Sequence, residues 1–204
     1  AGLKNKALMR RAINAAFRVG TSESLQLLVH YLEQRPANAV LRRTALASIL
    51  WWAKPPVLCA VEGRFRKFDP RDIGPVHAVV KQLRPLIARD ADLLEVLLNG
   101  ATRFGHVQWL EGLEAGFADW PAKVQSRFLD ALGRTQHPQL RVYVVHGLAS
   151  ADAKVRESAR MHAAKAGVPV VGLLMALIED AKAPGRGAAV RQMAVSKEPG
   201  AAAE

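Results

Sequence analysis

The chain has 204 residues, half of them apolar and only 6% aromatic, with a formal net charge of +11 and one cysteine, Cys59. That length and apolar fraction support a folded core and exclude wholesale disorder, while a single cysteine excludes an internal disulfide and the CxxC and CxxCH patterns of zinc and covalent haem sites. The charge is uneven: residues 1–89 carry sixteen Lys/Arg against five acids, and residues 90–120 carry Arg103 alone against six acids. The basic N-terminal half would therefore attract nucleic acid, anionic lipid or an acidic protein surface, and charge alone does not choose among them.

The opening AGLKNKALMRR has no apolar signal core, and the longest apolar runs fall short of a membrane span. A soluble chain is expected, and one that can have been cut from something longer. Ala, Leu, Val and Arg dominate and aromatics are few, a balance that favours helices because small and straight-chain residues lose little rotamer freedom there, and no stretch alternates convincingly enough for a strand. Apolar spacing predicts about ten helices. The first covers residues 3–18, with Leu3, Leu8, Ala12, Ala15 and Ala16 on one face and Gly20 after its end. Thr21 or Ser22 caps a second helix to about residue 34. Asn38 caps a third, ANAVLRRTALASILWWA, which Pro55-Pro56 stops.

Residues 54–74 form the one long irregular stretch. Asp72 and Pro75 start the next helix, with Pro85 expected to kink or end it near residue 84. Asp90 or Asp92 opens another to Phe104. Further helices fit residues 107–118, 121–134, 138–149, 152–166 and 168–182, joined by turns so short that neighbours must pack antiparallel. Residues 184–204 are Gly/Ala/Pro-rich and are expected to be a mostly flexible tail after a domain spanning 1–183.

A pattern recurs at helix starts: an aliphatic residue, usually followed by Arg, then small or apolar residues at +4 and +8. It reads Leu41, Ala45, Ile49; Val124, Phe128, Leu132; Leu140, Val144, Leu148; and Val155, Ala159, Ala163, each set one expected buried stripe. Asn38 precedes Arg42, and Asp152 precedes Arg156, by four residues, which lets a capping side chain lie beside a guanidinium one turn later. On these residues the chain resembles the HEAT repeat family over most of 20–182. It departs from the standard unit in two ways: a helix pair takes about 31 residues, and the signature falls on successive helices. The shorter, bilin-lyase-type HEAT repeats are more similar. The resemblance implies an all-α, right-handed α-solenoid of about five antiparallel helix pairs, each burying its open face on the next.

The segment WWAKPPVLCAVEGRFRKFDPRD, residues 51–72, is the most idiosyncratic, and a loop of about twenty residues inside a compact repeat suggests function or an interface. Trp52, Lys54, Pro55, Val61, Gly63, Arg64, Arg66, Arg71 and Asp72 resemble a segment in the HEAT region of large bacterial proteins that carry a sugar-dehydrogenase-like propeller and a cytochrome c domain. There the HEAT region is a connecting and docking module, and haem and quinone chemistry belongs to domains this chain lacks. The resemblance implies a periplasmic or secreted setting; without it a cytoplasmic one is expected.

Six histidines form no HxxxH, HExxH or Cys/His cluster, and no GxSxG, P-loop or GxGxxG is present. No catalytic, cofactor-binding or metal-binding residue is therefore assigned. Asp69, Asp72, Asp90 and Asp92 read as helix caps before paired catalytic carboxylates. Trp51, Trp52, Trp109 and Trp120 either stack on a ligand or fill junctions between helices, the latter being the ordinary role.

Arg64, Arg66, Lys67 and Arg71, interleaved with Phe65 and Phe68 and preceded by Trp52, are the candidate binding set, a small phosphate-gripping patch. The competing reading is a loop strapped onto the helices, its Phe rings buried and its arginines capping helix carbonyls. The sequence thus points to a non-enzymatic protein-interaction or scaffold module, with a protein partner or an adjacent domain of an electron-transfer dehydrogenase. The alternative is a nucleic-acid-binding helical repeat such as a DNA alkylation glycosylase-like protein, for which a catalytic Asp in a concave basic cleft cannot be aligned. A third reading is a bilin-lyase-like tetrapyrrole chaperone, which would need an apolar pocket with a few convergent polar groups.

Overall fold

The computed structural model describes residues 5–59, 61–65, 67–69, 71–179 and 186–195. Among them the chain is all-α: ten α-helices and two 3-10 segments, with one isolated antiparallel bridge, Leu58 to Phe65, and no strand. None of these helices is long and apolar enough to cross a membrane, and no group of three or more His, Cys, Asp or Glu among the described residues could hold a metal ion. The chain divides into two compact units, Ala1–Glu114 and Ala115–Glu204.

In the first unit, α1 (Lys6–Val19), α2 (Ser22–Glu33), α3 (Ala39–Leu50), α4 (Gly74–Ile87) and α5 (Ala91–Phe104) are followed by a 3-10 turn, η1 (Val107–Trp109). Each helix packs on its neighbour in sequence, α1 on α2, α2 on α3 and α4 on α5, and also on the helix two elements along, α1 on α3, α3 on α5 and α2 on α4. Local chemistry sets the ends. Asn5, Thr21, Asn38 and Asp90 accept hydrogen bonds from first-turn amides of α1, α2, α3 and α5, and Gly20 and Gly105 close α1 and α5 in the left-handed conformation.

Three details differ from the sequence reading. The face α1 buries carries Ile13 and Phe17, whereas Leu8, Ala12 and Ala15 are exposed; the two bulky side chains one turn apart bury more apolar area than the alanines and decide the face. Leu3 lies outside the described residues. Pro85 sits inside α4, which runs on to Ile87, because the proline is on the solvent side and the carbonyl it leaves unbonded can be hydrated. Residues 107–118 are not an α-helix but η1 followed by a second 3-10 segment, η2 (Glu114–Asp119); Gly112, between them at φ +75, takes a conformation no helical residue adopts.

The second unit holds α6 (Ala122–Thr135), α7 (Leu140–Leu148), α8 (Ala153–Ala163), α9 (Val170–Glu179) and α10 (Arg186–Val195). Here α6 packs on α7 and α8, α7 on α8, and α9 on α10. In the stretch read as a tail, Arg186–Val195 is helical, and residues 196–204 lie outside the described residues. All four stripes of the recurring pattern are buried, each residue at 5% exposure or less.

The recurring spacing of cap and arginine has a different geometry from the one expected. Arg42 Nη1 donates to the carbonyls of Pro36 and Ala37, and Arg156 Nη1 donates to those of Ser150 and Ala151, so each guanidinium closes the turn that enters its own helix. Arg42 also pairs with Asp90, Nη2 to Oδ2 at 2.9 Å, and thereby ties α3 to the cap of α5.

Candidate interaction site

The segment between α3 and α4 is a strap anchored at both ends. At its start the Trp51 and Trp52 amides still donate to α3 carbonyls. The Trp51 ring stands edge-on to Phe104 with the Arg103 guanidinium 4.5 Å above it. Trp52 is buried against Phe17. At the other end, Arg71 donates from Nη1 to Phe17 O at 2.7 Å and from Nη2 to Arg18 O at 3.4 Å, capping the last turn of α1. Its guanidinium lies 4.7 Å from the Trp52 ring centre, 5.3 Å from Phe17 and 5.5 Å from Phe68. Burial lowers its pKa from the ordinary value, while the aromatic faces favour the cation. Gly20 makes this possible: a Cβ there would meet the guanidinium carbon at 2.6 Å.

Between the anchors the chain folds back on itself. The Leu58 to Phe65 bridge is closed by Cys59 N to Arg64 O at 2.9 Å and Gly63 N to Cys59 O at 2.8 Å, with Gly63 at φ +67. Arg18 grips this turn through Glu62, Nη1 to Oε1 at 2.6 Å. Cys59 is buried, its Sγ 3.6 Å from Asn14 Oδ1. Burial and the nearby Glu62 carboxylate raise its pKa, but hydrogen bonding with the backbone of Glu62 and Val61 and with the Asn14 side chain outweighs that and leaves it lowered.

The structure separates the residues that the sequence suggested as one basic patch. Trp52 and Arg71 face inward and hold the strap. Arg64 is exposed in a depression with Arg11 and Arg18 of α1. Lys67 is exposed in a second depression, with Gly20, Asp69 and Arg71. Arg66 lies outside the described residues. Of the two Phe rings, Phe68 is half-buried on Phe17, whereas Phe65 is 81% exposed.

What the strap does create is a groove of about 370 Å³ between itself, α1 and α3. Phe17, Val40, Ala47, Trp51, Leu58 and Phe68 give it an apolar wall, and Arg10 is the charged side chain on its edge. Val40 and Leu58, each 48% exposed, continue the apolar surface out of the groove, and the backbone bridge sets Phe65 beside Leu58. The signal for this in the sequence was faint: Arg10, Asn14 and Phe17 on α1, and Val40, Thr44 and Ala47 on α3, are helical stripes, but only the strap turns them into walls.

Two polar clusters were not anticipated. His77 Nδ1 accepts from the Trp109 indole at 2.9 Å, and the His106 ring lies 5.0 Å from His77. Burial, with His77 and Lys54 nearby, holds His106 below the usual histidine pKa. In the second unit Asp130 Oδ1 accepts from Ser158 Oγ at 2.9 Å and from His162 Nε2 at 3.1 Å. Hydroxyl and imidazole converge on one carboxylate oxygen and not on each other, and His162 Nδ1 is buried without a partner; Ser158, itself buried, serves packing here, with no hydrogen bond to His162. Asp90 is the cap of α5, accepting from Asp92 and Leu93 N, whereas Asp72 is not the cap of α4: it accepts from Gly74 N, and the N-cap position is Ile73, which offers no side-chain acceptor.

No protein-family model, curated protein or solved structure matches this chain.

Proposed function

We propose that the chain is a non-catalytic interaction module built from HEAT-like helical repeats, and that it holds a protein partner on the α1, α3 and strap face. The observation that carries this is the exposure of Phe65 at 81%, on a hydrogen-bonded turn and bridged to Leu58, which lines an apolar groove. A large apolar side chain held out on an ordered turn costs solubility unless something covers it. The repeat reading draws support from the packing of helices in the first unit on both the next and the second-next helix, from the four buried stripes, and from the shared role of Arg42 and Arg156.

The likeness of residues 51–72 to the HEAT region of multidomain haem and dehydrogenase proteins supports a place as a connector within such a bacterial protein, in the periplasm or outside the cell. Trp52, Gly63 and Arg71, which carry part of that likeness, are the residues that fix the strap. The partner would then be an adjacent domain or subunit.

The test is site-specific photocrosslinking in cells that make the protein, with the probe at position 65 and a control probe at exposed Val142. The expected result is one discrete protein adduct from position 65, competed by the unlabelled chain and reproduced with both proteins purified. Adducts to nucleic acid from position 65, or identical patterns from both positions, would overturn the reading.

A further inference from the structure

We infer that the groove between α1, α3 and the strap takes an acidic peptide segment of a partner protein, with a bulky apolar side chain seated in the groove and carboxylates on its basic rim. This rests on the interaction-module reading and names the chemistry of its partner. Shape comes first. At about 370 Å³ the groove sits at the small end of ligand cavities, room for one or two side chains and not for a large cofactor. Its apolar surface continues past its lining: Phe65, bridged to the lining residue Leu58, is 81% exposed. A small molecule filling the groove would leave Phe65 in water, whereas a peptide lying across the mouth covers it.

Charge then selects the peptide. Helices α1 and α3 contain no acid at all, and carry Lys6, Arg10, Arg11, Arg18, Arg42 and Arg43. The strap's acid on this side, Glu62, is already paired with Arg18, and Arg42 is engaged by Asp90. Arg11 and Arg64 have no ion-pair partner among the described residues and flank the turn that bears Leu58. An apolar slot in a field of one sign favours carboxylate-flanked anchors and repels basic ones. Nucleic acid fits less well. A phosphate track would need cations along the groove, where Arg10 is the charged wall residue, and successive bases would need successive rings, whereas Trp52 and Phe17 are buried, Phe68 is half-buried and Phe65 is the exposed ring of the strap.

The experiment measures anisotropy of a fluorescein-labelled peptide with a Phe-Glu-Glu-Leu core flanked by Glu, against the full chain. Its comparisons are the same peptide with both anchors replaced by Gly, a Lys-flanked version, a duplex oligonucleotide and a medium-chain fatty acid as competitor. The anchored acidic peptide should bind about tenfold or more tightly than its Gly version, and the Lys-flanked version should not bind. Val40→Asp, an exposed change that leaves the fold intact, and Ala47→Phe, which fills the groove, should each weaken binding by about tenfold. Arg10→Glu combined with Arg11→Glu should weaken it and flatten its salt dependence. Slower alkylation of Cys59 in the presence of peptide would place the anchor beside that thiol.

Equal binding of the Gly version, with Val40→Asp silent, would overturn the groove proposal while leaving an interaction module with a basic face. Binding of duplex DNA in place of either peptide would overturn both. Displacement of the peptide by fatty acid alone, self-association of the chain in sedimentation, or no peptide binding at all would overturn the acidic-segment assignment.

Discussion

Replacing Arg71 by Ala separates the two roles that the basic residues of the strap might be given. The side chain makes one short charge-assisted hydrogen bond, to Phe17 O at 2.7 Å, and a long one to Arg18 O at 3.4 Å. A hydrogen bond to a charged group contributes about 1.5–3 kcal/mol, and the longer one adds little. Three aromatic rings within 5.5 Å of the guanidinium carbon add about 1–2 kcal/mol, because the site is partly desolvated. Solvent reaching the half-buried head trims the sum, leaving an expected loss of about 2–4 kcal/mol. In a chain of this size that lowers the thermal midpoint by about 5–15 °C.

Arg71→Lys keeps the charge and one donor but loses the planar stack, and should fall between. Arg64→Ala and Lys67→Ala, both exposed, should change stability by no more than about 0.5 kcal/mol. Thermal melts followed by tryptophan fluorescence suit the purpose, since Trp51, Trp52 and Trp109 all lie in the first unit. A loss below about 1 kcal/mol for Arg71→Ala, or a larger loss for Arg64→Ala, would refute the assignment of Arg71 to holding the strap.

Three further outcomes are expected. Arg42→Ala should destabilise by about 1–2 kcal/mol and Asp90→Ala by about 2–3 kcal/mol, the latter also removing a helix cap, and urea melts of both and of the double variant should show strong non-additivity. Gly133→Ala should cost about 1–3 kcal/mol, because a Cβ there overlaps the buried His162 ring, and it should be partly rescued by His162→Ala in the same melts. His106 is lowered by burial, His77 and Lys54, so the folded state binds its proton less readily than the unfolded chain. The associated stability is present above the unfolded histidine pKa of about 6.5 and is lost as pH falls from there through the lower folded pKa; the drop in thermal midpoint between neutral and mildly acid buffer should be smaller in His106→Gln.

Much of the fold was legible because it depends on local chemistry. Caps such as Asn38, Asp90 and Asp152 and the left-handed Gly20 and Gly105 bound helices whatever surrounds them. The stripes from Leu41 to Ala163 are buried because period and size agree. Where the reading failed, the deciding force was not periodic. Gly112 broke an apolar run that looked helical, and Ile13 and Phe17 outweighed a longer stripe of alanines. The site was the least legible part. Four basic residues close in sequence suggested a patch, but Arg71 is drawn inward by carbonyls and rings that belong to α1, contacts over fifty residues away in the chain. The groove likewise needs α1, α3 and the strap together, and Phe65 gains its meaning from the bridge to Leu58.

The most direct test of the account is an amide NMR titration of the isotope-labelled chain with the anchored acidic peptide and, separately, with duplex DNA. The account predicts peptide-induced shifts centred on Arg10, Asn14, Thr44, Ala47, Leu58 and Phe65, with DNA producing none there. Shifts that follow DNA, or peptide shifts that gather around Lys67 and leave the groove untouched, would contradict it.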